Sequence, residues 1–181
     1  MRRGHRVVAV DSSPTLIRYA GSADPAGAYL LADAATLPFE AGSFELVVAY
    51  NSLMDVEDMP AAVREAARVL TADGRLCVCV THPFTDAGRF ASDDGAAPFI
   101  IPGSYLEARE FHEKFERDGL DITFHGHCYP LQDYARALEE AGLVIERLRE
   151  PSVGAEDTEA NRSWIHGQRV PTFLHLRCRK A

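Results

Sequence analysis

The sequence predicts an α/β fold: an open, mostly parallel sheet with helices on both faces and an antiparallel C-terminal edge pair. Three observations carry this expectation. The hydrophobic pattern switches repeatedly between strand and helix periods. Arg75 to Thr81 (RLCVCVT) is a near-continuous apolar run suited to a sheet interior. The last two apolar runs are joined without a strong helical segment, which suits antiparallel neighbours.

Each element has its own signal. His5 to Val10 (HRVVAV) is a β-branched run ending at Asp11. Ser13-Pro14 supplies a hydroxyl N-cap and a first-turn proline, with Leu16, Ile17 and Ala20 expected to face inward. Tyr29-Leu30-Leu31 is a short strand stopping near Asp33, and Phe44 to Tyr50 (FELVVAY) is the next. Asp58 caps a helix with Pro60 in its first turn, and Val63, Ala66, Ala67 and Leu70 give that helix one buried stripe. Asp55, Glu57 and Asp58 read as a solvated loop and helix N-terminus. Ala72-Asp73-Gly74 turns the chain into Arg75 to Thr81. Tyr134, Ala137, Leu138 and Ala141 form a second stripe closed by Gly142 as C′ residue. Leu143 to Leu148 and Thr172 to Cys178 are the final strands, with Gly154 to Ser163 a polar linker.

Residues 83–130 interrupt this rhythm. They contain Gly88, Gly95, Gly103, Gly119 and Gly126 and the polar run Ala91 to Gly95, so a lid, a binding element or a disordered segment is expected. Within it, Ile122 to Tyr129 alternates like a strand and puts His125, His127 and Tyr129 on one face. Tyr105, Phe111, Phe115, Phe124, Tyr129 and, later, Trp164 are candidates to line a pocket.

Composition bounds the function. The 181 residues suit one domain, and 46% apolar with 25% charged residues describes a globular chain with a sizeable core. No apolar run approaches the roughly 20 residues of a membrane span, and Asp11 arrives too early for a secretory signal. A net charge of −8 without a basic block disfavours nucleic acid. Cys77, Cys79, Cys128 and Cys178 lack metal-finger spacing and fit a reduced, cytoplasmic compartment. His125-x-His127 has no third ligand signalled nearby, so no metal is expected.

In open α/β sheets, ligands sit beyond the carboxyl ends of the strands. Those ends carry Asp11, Asp33, Asn51 with Ser52, and His82. Asp11 can accept from both hydroxyls of a ribose or cap the next helix. Asp33 can likewise bind a ligand or cap a turn.

The stretches HRVVAVDSSP (5–14), LADAATLPFEAGSFELVVAYNSLMDVED (31–58) and AAVREAARVLTADGRLCVCVTHP (61–83) resemble the class I S-adenosylmethionine-dependent methyltransferases. The likeness is to the small-molecule branch that includes ubiquinone-biosynthesis enzymes. It implies a Rossmann-like sheet, S-adenosylmethionine as cofactor and methyl transfer to a small-molecule acceptor by in-line displacement. Residue by residue it implies that Asp11 binds the ribose, with Ser12 beside it. Asp33 would accept from the adenine amino group and Ala34 would give its N–H to the ring. Asn51, Ser52 and Leu53 would line the pocket below the methionine portion. Where the acceptor must lose a proton, His82 at the ligand edge of the sheet is the candidate catalytic base, ahead of His125 and His127 in the lid segment.

The family's glycine-rich motif precedes HRVVAVD and has no counterpart here, so one N-terminally truncated domain over 1–181, first strand and helix missing, is expected. That strand would lie between those ending at Asp11 and Tyr50, which leaves two apolar edges that favour self-association as a homodimer. The alternative is a catalytically impaired or non-catalytic methyltransferase-like protein. A nicotinamide oxidoreductase shares the acidic residue after the second strand, but no tyrosine here has a lysine four residues later.

Overall fold

A computed structural model describes residues 4–117 and 120–181, leaving aside the side chains of 113, 115–117 and 120–124. Its strands are β1 (Val8–Asp11), β2 (Ala28–Leu31), β3 (Phe44–Tyr50), β4 (Leu70–Thr81), β5 (Arg89–Phe90), β6 (Phe99–Ile100), β7 (Arg109–Arg117), β8 (Leu120–Cys128), β9 (Leu143–Arg149) and β10 (Phe173–Lys180). The α-helices are α1 (Pro14–Ala23), α2 (Met59–Val69), α3 (Pro83–Asp86), α4 (Leu131–Glu140) and α5 (Ala155–Ala160). Two 3₁₀ segments cover Leu53–Asp55 and Arg162–Gln168.

The main sheet has four strands in the order β3-β4-β10-β9. β3 and β4 run parallel, and β10 runs antiparallel to both β4 and β9, which is the expected antiparallel edge pair. Parallel β1 and β2 form a separate two-stranded sheet. Among the described residues, β1 and β3 therefore each keep one unpaired edge, and Val7 (70% exposed), Val48 (59%) and Tyr50 (69%) are open to solvent.

One face of the main sheet is buried by two amphipathic helices. α2 starts where the Asp58 carboxylate accepts the Ala61 N–H at 2.9 Å, and it sinks Met59, Ala62, Val63, Ala66 and Ala67 into the core. α4 contributes Tyr134, Ala137 and Leu138, and Gly142 with φ +71° ends it in the left-handed turn that favours glycine. The sheet answers with Leu76, Val78, Val80, Leu174, Leu176 and Cys178. Each fully buried aliphatic side chain is worth about 1.5–3 kcal/mol, so this cluster is the main stabilising feature. The opposite face shows Leu46, Val48 and Tyr50 beside Arg147, Arg149 and Arg177.

Local readings differ from the structure in three places. The turn Ala72-Asp73-Gly74 lies inside β4 as a bulge, where residues 71–74 oppose only Glu45 between the pairs Phe44–Leu70 and Leu46–Arg75. Glycine suits position 74, because a Cβ there would stand 3.2 Å from the Glu45 carbonyl oxygen. α1 forms as its cap predicts, with Ser13 Oγ accepting the Leu16 N–H at 3.3 Å, yet Leu16 stays 56% exposed and the helix buries no residue. The 154–163 segment is helical in part, because the Asp157 carboxylate accepts the Gly154 N–H at 2.9 Å and Asn161 caps the following turn.

Candidate active site at the strand ends

Asp11 ends β1 half-buried, with one carboxylate oxygen accepting the Ser13 N–H at 2.7 Å. This local turn fixes the carboxylate before any ligand arrives, while Ser12 beside it is exposed. The Ala32 N–H donates to the Asp11 carbonyl at 3.1 Å, so the chain leaving β2 reaches Asp33 alongside Asp11. Asp33 is exposed, and its Oδ1 accepts the Ala35 N–H at 2.8 Å. Ala34 is half-buried and packs on the core. Both aspartates thus sit at neighbouring ends of one parallel ladder, each also making the turn cap weighed from the sequence.

A clamp on α2 secures the loop that follows. The Arg68 guanidinium donates to Glu65, to the Phe39 carbonyl at 2.7 Å and to the Leu37 carbonyl at 2.9 Å, and Glu65 accepts the Leu37 N–H at 2.8 Å. The Arg68 guanidinium in turn holds the Glu65 carboxyl below the usual carboxylate range.

Asn51, just past β3, has φ +46° and is the only described non-glycine residue in the left-handed region. Its N–H donates to the Cys79 carbonyl at 2.8 Å, and its side-chain oxygen accepts from the Cys79 thiol at 3.6 Å. Asparagine is among the non-glycine residues that adopt this region most readily, and such positions recur at functional sites. Ser52 is half-buried at the start of the 3₁₀ turn, whereas Leu53 lies in the hydrophobic core.

His82, beyond β4, is only 5% exposed and both of its ring nitrogens are engaged. Nδ1 accepts the Phe84 N–H at 3.1 Å, which caps α3, so Nε2 carries the proton and donates to Glu150 at 2.9 Å.

Within the segment 83–130, aromatic side chains pack mainly on one another. Phe84 stacks on Phe99 at 5.3 Å, and Phe90 meets Phe99 edge-on at 5.0 Å. The Tyr105 hydroxyl accepts the Leu131 N–H at 3.1 Å. Trp164 stays 44% exposed, and the side chains of Phe115 and Phe124 lie outside the described residues. β8 packs on the 3₁₀ turn after Asn51, and a Cβ on Gly126 would meet Asp55 Oδ1 at 2.9 Å.

The sequence reads Asp55 as part of a solvated loop, and the structure leaves the residue exposed; what the sequence does not show is its neighbour. Desolvation beneath the hairpin nevertheless pushes its carboxyl above the ordinary value, with His127 pulling it back. His127 stacks on Tyr129 at 5.3 Å, and its Nδ1 is buried with no hydrogen-bond partner among the described residues. Asp55 and His127 are far apart in sequence, so only the packing of β8 on the 3₁₀ turn reveals that they are neighbours.

Residues 1–78 match the family model described as "Methyltransferase domain". The chain is 30% identical over 159 residues to the nocamycin O-methyltransferase of Saccharothrix syringae, covering 62% of this chain and 55% of that protein. It is 37% identical over 83 residues to the demethylmenaquinone methyltransferase of Thermobifida fusca, covering 43% of this chain and 35% of that protein. The chain thus spans about half or less of the curated relatives it matches. The solved S-adenosylmethionine-dependent methyltransferase from Mesorhizobium loti superposes with a TM-score of 0.77 at 22% identity, covering 96% of this chain and 80% of that one.

Proposed function

From a chain that carries the fold of the S-adenosylmethionine-dependent methyltransferases and matches their domain model over residues 1–78, we propose that the strand-end cluster binds S-adenosylmethionine. We further propose methyl transfer to a small-molecule acceptor in a reduced, cytoplasmic compartment. The observation that carries this reading is the pair of carboxylates, Asp11 and Asp33, pre-fixed by local turns at adjacent ends of one parallel ladder.

The donor set suits the adenosine half of the cofactor. Asp11 would accept from the ribose hydroxyls with Ser12 beside it, Asp33 from the adenine amino group, and Ala34 would offer its N–H to the ring. Asn51 and Ser52 would border the methionine portion, while Leu53 supports them from the core. When bound, the cofactor supplies an electrophilic methyl group on a sulfonium. The protein's part is then chiefly to position the acceptor in line.

A base is needed only where the acceptor must lose a proton. His82, with both nitrogens engaged, acts in this reading by holding the β4 end and α3 in place. His127, whose Nδ1 is buried with no hydrogen-bond partner among the described residues, is then a second candidate proton acceptor. Residues 83–130 would shape the acceptor site as a lid. No described helix is long and apolar enough to cross a membrane.

A second reading, binding without catalysis, draws support from the unpaired edges of β1 and β3. Calorimetric titration of the 181-residue chain with S-adenosylhomocysteine, with a thermal melt alongside, tests the cofactor site. At 100 times its dissociation constant the ligand should stabilise the chain by about 2.7 kcal/mol. One-site binding that Asp11→Ala and Asp33→Ala abolish supports the site, and a methyl-transfer screen over small acceptors then decides between the readings. Absence of binding, or binding indifferent to both substitutions, refutes the site.

A further inference from the structure

We propose that His112 and His125 form a binding site for a borderline divalent cation such as zinc, stapling β7 to β8. The two residues are directly opposed in the antiparallel register, and their Nδ1 atoms approach to 2.6 Å with ring planes at 71°. Two facing Nδ1 atoms share a single hydrogen at that distance, so one nitrogen already directs its lone pair into the gap. Imidazole is a preferred ligand of zinc, copper and nickel.

The surroundings suit a chelate. Glu110 Oε2 stands 3.9 Å from His112 Nε2, beyond hydrogen-bond distance but near enough to place a negative charge beside the histidine pair. Tetrahedral coordination at about 2.0–2.1 Å would set the two nitrogens about 3.3 Å apart. Both side chains are exposed, so a small rotation opens the gap and water can fill the remaining positions. The ring that donates shifts its proton from Nδ1 to Nε2 on binding, so both imidazoles remain neutral. Among the described residues no group of three or more His, Cys, Asp or Glu side chains is arranged to hold a metal, which makes this a two-ligand, open site.

The consequence is mechanical. β7 and β8 form a two-stranded sheet of their own, an arrangement marginal in isolation, and a metal bridging opposed residues ties the strands together. The sequence showed only His125-x-His127; the partner His112 is supplied by the hairpin register.

Zinc chloride titrated calorimetrically into the full chain tests the site, with Co²⁺ absorption reporting whether thiolates take part. The expected result is one zinc per chain, binding at least tenfold weaker in His112→Ala and in His125→Ala but unchanged in His175→Ala, and a Co²⁺ spectrum free of thiolate charge-transfer bands. No binding, an affinity unchanged in either hairpin variant, or thiolate bands from the cysteines would overturn the proposal.

Discussion

Replacing His82 tests whether this histidine holds the fold or performs chemistry. His82→Ala removes the acceptor of the Phe84 N–H, a capping interaction worth about 0.5–2 kcal/mol. It also removes the contact to Glu150, whose side chain is 53% exposed, so solvent limits that contribution to about 0.5–1 kcal/mol. Together they predict a loss of about 1–3 kcal/mol. For a chain of this length, each kcal/mol lowers the melting midpoint by about 2–4 °C. His82→Asn keeps a side-chain oxygen that can cap α3 and should recover roughly the capping share. Urea unfolding and thermal melts of the three proteins give the comparison. A His82→Ala protein with unchanged stability would refute the capping argument, and equal losses in both variants would place the effect elsewhere.

The titrating groups of the core and the hairpin corner offer two more tests. The fold raises the Asp55 carboxyl above its ordinary value, so the stability linked to its neutral form is present at low pH and lost as pH rises through the folded value. Asp55→Asn should therefore stabilise the chain slightly at pH 7, by less than about 1 kcal/mol, with the gain vanishing near pH 3 in parallel urea titrations. A destabilised variant at pH 7 would contradict this. Cys178 is fully buried and its thiol is pushed up to about 11, chiefly by burial, whereas Cys77 is half-buried. Iodoacetamide at pH 8, followed by peptide mass spectrometry, should label Cys77 on the order of a hundredfold faster than Cys178; equal rates would show that the core opens readily.

Much of the fold was legible because local signals agreed with the global arrangement. Ser13-Pro14, Asp58-x-Pro60 and Gly142 marked helix ends through capping chemistry that depends on few neighbours. The stripes of α2 and α4 and the apolar run of β4 identified the core face before any packing was known. Legibility failed where the outcome depended on distant chain. The apolar face of α1 is only partly covered, with Ile17 and Ala20 half-buried and Leu16 exposed, and the 72–74 turn became a bulge because β3 pairs with β4 on both sides of it.

Local pattern alone places Asp11, Asp33, Asn51 and His82 at or just beyond strand ends, because strand termini follow from turn and cap residues close by in the chain. Packing sets what surrounds them. It engaged both nitrogens of His82, set Asp55 beside His127, and opposed His112 to His125. Those relations depend on which strands become neighbours and in what register, and a pairing between distant segments is fixed by the energy of the whole packed chain, not by the residues on either side of each group.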